Sequence, residues 1–205
     1  MTATANITPT RLPTQARQAE IVNAALRLAQ TTSPATITTT DLAQAMGLSQ
    51  GALFKHFASK DAIWLAVMEW VTENLLGELE AAATSTDQPI RALQNVFDAH
   101  VNFVVNHSGV PRVIFHELQA AADSPLKQQV RRLMQSYRQL LVRLLGTAVQ
   151  RGEAPAGLDT AAAATLFMGI VQGLVMQSMM SGQIAGMRVQ SSQIFALYVR
   201  GITTP

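Results

Sequence analysis

The side chains best suited to chemistry in this chain cluster between Ser49 and Lys60: Ser49, Gln50, Gly51, Phe54, Lys55, His56 and Lys60. They do not form a catalytic set. No nucleophile is spaced to pair with a base, and no Gly-rich phosphate loop is present. The chain has no cysteine, which excludes disulfides, thiolate metal sites and cysteine nucleophiles. The cluster does suit a DNA duplex. Gln50 can offer a donor and an acceptor together to an adenine edge, or bond a phosphate. Gly51 leaves no side chain between a helix and the bases, and inside a helix it otherwise costs roughly 1 kcal/mol against alanine. Lys55 brings charge to the groove or its wall, and Lys60 with the N–H groups of the helix start that follows can hold a phosphate. His116-Glu117 is the other pair that draws the eye. No second histidine follows one turn after His116, so the HExxH zinc pattern is absent. No metal and no cofactor is expected.

These side chains need two short helices and a tight turn to position them. Thr38 suits a helix cap, with Asp41 three residues on as in a capping box. The helix carries Leu42, Ala43 and Met46 inward and stops at Gly47, where the chain must reverse. Ser49 caps a second short helix whose apolar side is Ala52, Leu53 and Phe57. Leu42, Ala43, Leu48, Ala52 and Leu53 form a small core, and Ala43 lets the helices cross closely. Gln50, Gly51, Phe54, Lys55 and His56 then lie at or near the exposed side, which is a helix-turn-helix arrangement. Plainer alternatives stay open: Phe54 as a core aromatic, His56 as a packed histidine, Lys55 and Lys60 as solvated charges.

Helical periodicity continues along the chain. Ile21, Ala25 and Leu28 line a helix over 15–30, and Ser59 caps a longer one holding Ile63, Val67, Trp70 and Val71. Further helices are predicted from Asp87 or Pro89 to His107, from Pro111 to Ala121, and from Ser124 to Gln150. The last of these is the clearest, with Leu126, Val130, Leu133, Tyr137, Leu140, Leu144 and Ala148 at three- and four-residue steps. After a break at 151–157, two more run over 159–181 and 189–201. No stretch alternates like a strand. The fold class is all-α with about nine helices. The divisions expected are a flexible arm over 1–13, a DNA-binding unit over 14–60, and a larger helical unit over 61–205.

The stretch from Arg17 to Trp70 resembles the N-terminal domain of TetR-family transcriptional regulators. The likeness rests on IVNAALRLA, TTTDLAQAMGLSQGALFKHF and SKDAIWLAVME, above all on Phe54-Lys55-His56-Phe57 followed by Ser59-Lys60-Asp61. The resemblance implies that Ser49, Gln50 and Gly51 head the recognition helix. It places Phe54 and His56 against the sugar-phosphate wall, Lys60 on a phosphate, and Thr38 and Thr40 near a backbone contact. Members often carry Tyr in place of Phe54 and Arg in place of Thr40. This chain therefore lacks one hydroxyl and one charge for the backbone.

Composition agrees with that expectation without carrying it. With 15 basic and 13 acidic residues the net charge is +2. In residues 1–70, Arg11, Arg17, Arg27, Lys55 and Lys60 barely outnumber Glu20, Asp41, Asp61 and Glu69. Binding would depend on where the charges sit. Apolar residues make up 48% of the chain, enough for a substantial core. No apolar run approaches the roughly 18 residues of a membrane span, and Met1–Pro13 has no signal-peptide pattern, so a cytoplasmic location is expected.

One helix-turn-helix reads too little sequence alone, so two copies on a two-fold axis, facing an inverted repeat, are expected. Candidates for the dimer face are Leu166, Ile170, Gly173, Leu174, Ile194, Leu197 and Tyr198. Phe97, Phe103, Phe115, Met134, Tyr137, Met168 and Met176 are candidates for lining a pocket for a bulky apolar or aromatic effector. Ordinary core packing is the alternative for each. The function expected is a ligand-responsive repressor, with repression itself implied only by the resemblance. An effector-independent structural or division factor is the second possibility, and a helical enzyme the third.

Overall fold

A computed structural model describes residues 14–203. The expected arm, residues 1–13, lies outside them. Among the described residues there are nine α-helices and no strand: α1 Thr14–Ala29, α2 Thr39–Ala45, α3 Gln50–Leu53, α4 Lys60–Ala83, α5 Pro89–Asn106, α6 Gly109–Gln119, α7 Pro125–Gln150, α8 Thr160–Ser181 and α9 Met187–Thr203. A single 3₁₀ turn, Ile184–Gly186, precedes α9.

Each of the first helices starts and stops for a local reason. Thr38 and Asp41 cap one another at the head of α2: the Asp41 N–H donates to Thr38 Oγ1 at 3.1 Å, and the Thr38 N–H donates to Asp41 Oδ2 at 2.8 Å. The chain leaves α2 at Gly47, whose φ of +64° is the left-handed region that glycine enters without steric cost. Ser49 caps α3 and Ser59 caps α4, through Ala52 N–H and Ala62 N–H respectively. Leu42, Ala43 and Leu53, with Ile37, are buried between these helices and α1. Leu48 and Ala52 are half-buried at its edge.

α4 joins the small unit to the large one. It packs on α1 and runs on against α5 and α7. One hydrophobic cluster therefore extends from Ile21 of α1 to Ile202 of α9 without interruption. α7 buries Val130, Leu133, Tyr137, Leu140, Leu141, Leu145 and Ala148 along one side, as its periodicity required. Two starts differ from the sequence reading. α6 begins at Gly109 and carries Pro111 within its first turn, where a missing N–H removes no intrahelical bond. α9 begins at Met187, because the 3₁₀ turn before it feeds directly into the helix.

One correction concerns α8. Contrary to the expectation that no apolar run approaches a membrane span, Thr160–Ser181 is by length and composition apolar enough to cross one, with mean hydropathy 1.4. Thr165, Gln172, Gln177 and Ser178 interrupt it without adding charge. One side of α8 packs on α7 and α9. The other side leaves Leu166, Gly169, Gly173, Met176 and Met180 exposed.

Candidate nucleic-acid interface and internal cavity

The residues between Thr38 and Lys60 lie on and around the α2–α3 pair, where Gln50 and Thr39 meet across the two helices. Thr40, Ser49, Gln50, Gly51, Phe54 and Lys55 are all exposed there, as is Thr38, whose side chain is committed to its cap. The bonds with Thr38, backbone first, hold the Asp41 carboxyl below its ordinary pKa, with a smaller contribution from Lys60. The cap is thus ionised at neutral pH. Phe54 is 45% exposed and is not a core aromatic.

Three side chains are held in ways the sequence did not reveal. Gln50 Nε2 donates to Thr39 Oγ1 at 2.6 Å, which ties the head of α3 to α2. The second amide hydrogen and the carbonyl oxygen remain for an outside partner. Thr39, absent from the candidate residues, is therefore what orients Gln50. Its only signal was a place in the Thr38-Thr39-Thr40 run, since the contact depends on how two helices cross. Lys60 Nζ donates to the Ala35 carbonyl at 3.2 Å and so pins the loop before α2. His56 is half-buried. Its carbonyl accepts from Gln18 Nε2 of α1 at 3.0 Å, while its Nδ1 is buried without a partner.

Space around Gly51 is the sharpest local observation. A Cβ added there meets nothing within 4 Å. The protein itself does not need a glycine at that point. Gly51→Ala is expected to leave the melting temperature unchanged or slightly higher while weakening duplex binding by about tenfold, through a methyl group in the groove. Unchanged affinity in a gel-shift titration would remove Gly51 from the interface.

A partly open cavity of about 160 Å³ lies between α4, α5, α6, α7 and α8. Phe103, Phe115, Met134, Tyr137 and Met168 line it together, with Val171 beside them. Two candidates do not reach it. Phe97 is 1% exposed and packs its ring 5.4 Å from those of Phe167 and Phe195, on the same face of α5 as His100 and Val104 but nearer the start of the helix. Met176 stands on the outer side of α8, because one residue beyond Val175 turns the helix by about 100°. The wall of α6 (Val110, Ile114 and Leu118) was missed, although its four-residue spacing was legible. A wider cleft of about 430 Å³ separates Lys60, Asp61 and Trp64 from His116 and Glu117. There Glu117 accepts from the Ser124 hydroxyl, and no cluster able to hold a metal occurs among the described residues.

The candidate dimer face also divides. Leu166, Gly173 and Leu197 are exposed, and Ile170 and Ile194 are half-buried beside them. Leu174 and Tyr198 instead point into the protomer. Tyr198 is 3% exposed, and its hydroxyl donates to the Ala163 carbonyl at 3.1 Å, so its role is internal.

Comparison with known proteins adds two family matches. Residues 21–67 match the model of bacterial regulatory proteins of the tetR family, and residues 114–193 match that of the tetracyclin repressor-like C-terminal domain. Among curated proteins, the nucleoid occlusion factor SlmA of Shewanella sp. (strain MR-4) is 24% identical over 161 residues, covering 78% of this chain and 82% of its own. Among solved structures, FadR from Bacillus subtilis in complex with stearoyl-CoA has a TM-score of 0.78 at 20% identity, covering 90% of this chain and 98% of that one. KstR2 of Mycobacterium tuberculosis, a ketosteroid transcriptional regulator, has a TM-score of 0.77 at 21% identity, covering 92% and 96%. At these identities the structural likeness concerns the fold.

Proposed function

The chain belongs to the TetR family of bacterial regulatory proteins, and from that premise we propose that it is a dimeric repressor released from its operator by a small apolar effector. As a family member it is a DNA-binding regulator and not an enzyme, and regulators of this family act in the cytoplasm. In the proposed division, residues 14–60 read DNA and residues 61–205 bind the effector and the second protomer.

One observation carries the effector reading. The cavity has α6 as a wall, and the first residue of α6, Gly109, rests on the end of α1. A Cβ at Gly109 would stand 2.3 Å from the Leu26 carbonyl oxygen and 3.2 Å from Ala29 Cβ. A ligand that shifts α6 therefore presses on α1, which is bonded through Gln18 to His56 in the turn after α3. Ligand and operator then favour different settings of one lever, and each weakens the other reciprocally. The test is a titration of the intergenic DNA beside the gene against a scrambled duplex, with and without cavity ligands. Tight binding to the native duplex alone, relieved by a ligand, is the expected result. Equal and steeply salt-dependent binding to both duplexes counts against sequence reading at that site.

The second reading, an effector-independent structural or division factor, is favoured by the curated relatives, whose match extends over 78% of the chain. Operator binding that no cavity ligand alters would select it.

The dimer is supported by the exposed stripe on α8 and α9, where Leu166 is 53%, Leu197 60%, Val189 77% and Met180 82% exposed. Such a run of apolar surface is costly on a monomer. The double variant Leu166→Glu/Leu197→Glu is expected to sediment as a monomer with an unchanged helical spectrum, and to lose operator affinity by at least about a hundredfold. A double variant that stays dimeric places the interface elsewhere.

A further inference from the structure

The polar groups that border the cavity define what it accepts. No Lys, Arg, Asp or Glu lines it. Within its apolar wall stand His100 of α5 and Tyr137 of α7, with Gln172 of α8 at the exposed rim. The Tyr137 hydroxyl lies 3.1 Å from His100 Nδ1, and the two rings meet edge-on at 5.2 Å.

This pair has a direction. Tyr137 is 1% exposed, and burial raises the pKa of its phenol well above the ordinary value, so the hydroxyl keeps its proton. A buried O–H must donate somewhere, and His100 Nδ1 is the hydrogen-bonding atom within its reach, so the bond is assigned with the Tyr137 hydroxyl as donor. An accepting Nδ1 on a neutral ring puts the imidazole proton on Nε2. Burial also pushes the His100 pKa down to about 4, which keeps the ring neutral in ordinary buffer. Nε2 has no hydrogen bond among the described residues. It is also not one of the sealed unpaired atoms, which are His56 Nδ1 and Arg112 Nε. Its open side is the cavity that His100 lines.

We propose that the cavity takes a compact, uncharged, apolar molecule with one hydrogen-bond-accepting oxygen, such as an aryl ketone or a lactone, and that His100 Nε2–H is the donor that recognises it. The proposal rests on the effector reading above and narrows it. Size sets the first limit, since a cavity of about 150 Å³ lined by apolar side chains holds a benzene-sized ligand. Charge sets the second. A carboxylate would enter an apolar space with no cation in its wall and lose its hydration uncompensated. The hydrogen bond sets the third. A hydrocarbon of the same shape covers the donor without giving it a partner, and sites built around such a donor reject it.

Three isosteric probes separate these classes: acetophenone, benzoate and cumene, titrated calorimetrically into the full chain near neutral pH. Acetophenone is expected to bind at least about tenfold more tightly than either of the others. His100→Leu removes the proposed donor at similar side-chain volume and should bring acetophenone within about threefold of cumene. Nitrogen-15 spectra of the unaltered protein check the same point without a variant, and should show the His100 proton on Nε2. The proposal is overturned if benzoate binds tightest, if cumene equals acetophenone, if none of the three binds, or if Nδ1 carries the proton. Operator titrations with the same probes keep the two readings apart. The expected binding order with unchanged operator affinity upholds the ligand class and sinks the effector role. Operator release by benzoate or cumene in preference to acetophenone does the reverse.

Discussion

Gly109→Ala is expected to destabilise the protein by about 1–3 kcal/mol and to weaken operator binding. The methyl group would stand 2.3 Å from a backbone oxygen, Leu26 O, and 3.2 Å from the Gln30 nitrogen and Ala29 Cβ. These are main-chain or near-main-chain atoms, so no flexible side chain can swing aside. Relief must come from shifting α6 relative to α1, at the same contact through which the effector is proposed to act. Gly77→Ala in α4 is the control, because a Cβ there meets nothing within 4 Å and should stabilise by up to about 1 kcal/mol. Urea melts and operator titrations on the same preparations decide the matter. A Gly109→Ala protein that behaves like Gly77→Ala in both would show that the α1–α6 contact transmits nothing.

Stability should also fall steeply between about pH 6.5 and pH 4, with His100 as the largest single cause. Its pKa is near 6.5 in an unfolded chain and about 4 in the folded protein. In that interval the unfolded chain binds a proton that the folded site refuses, so each step down in pH favours unfolding. Over the full interval the loss is about 3 kcal/mol, with none above neutral pH. Asp98 works in the opposite direction, since burial raises its pKa and acid therefore favours its folded form. Asp41 and Asp123 have lowered pKa values and lose their contributions only in stronger acid. The double variant His100→Leu/Tyr137→Phe removes both hydrogen-bonding partners together and leaves neither stranded. Its urea midpoint should vary less between those pH values than that of the parent. Equal slopes would mean that the imidazole is solvated in the folded state.

The local signals in the sequence were sufficient for the elements themselves. Thr38 with Asp41, Ser49 and Ser59 act over three residues, and the turn at Gly47 needs only its own φ, so each cap and turn could be read without knowing what surrounds it. The three- and four-residue spacing along α7 likewise depends on helix geometry alone. The exposed side of α3 and the turn after it, with Gln50, Gly51, Phe54 and Lys55, was legible once Leu53 and Phe57 are buried, although the helix itself ends at Leu53 and does not reach Phe57 as expected.

Tertiary packing decided everything that depends on two elements meeting. Gln50 and Thr39 are 11 positions apart and touch only because α2 and α3 cross at one angle. His100 and Tyr137 are 37 apart, and their alignment converts two ordinary core residues into a directed donor. Phe97, Leu174 and Tyr198 have the same residue types as their neighbours on the cavity wall or outer face, and only helix rotation in the bundle turned them inward. Apolar type states that a side chain leaves water. It does not state which neighbour receives it, because burial is non-directional and the partner is chosen by the shape of the whole core.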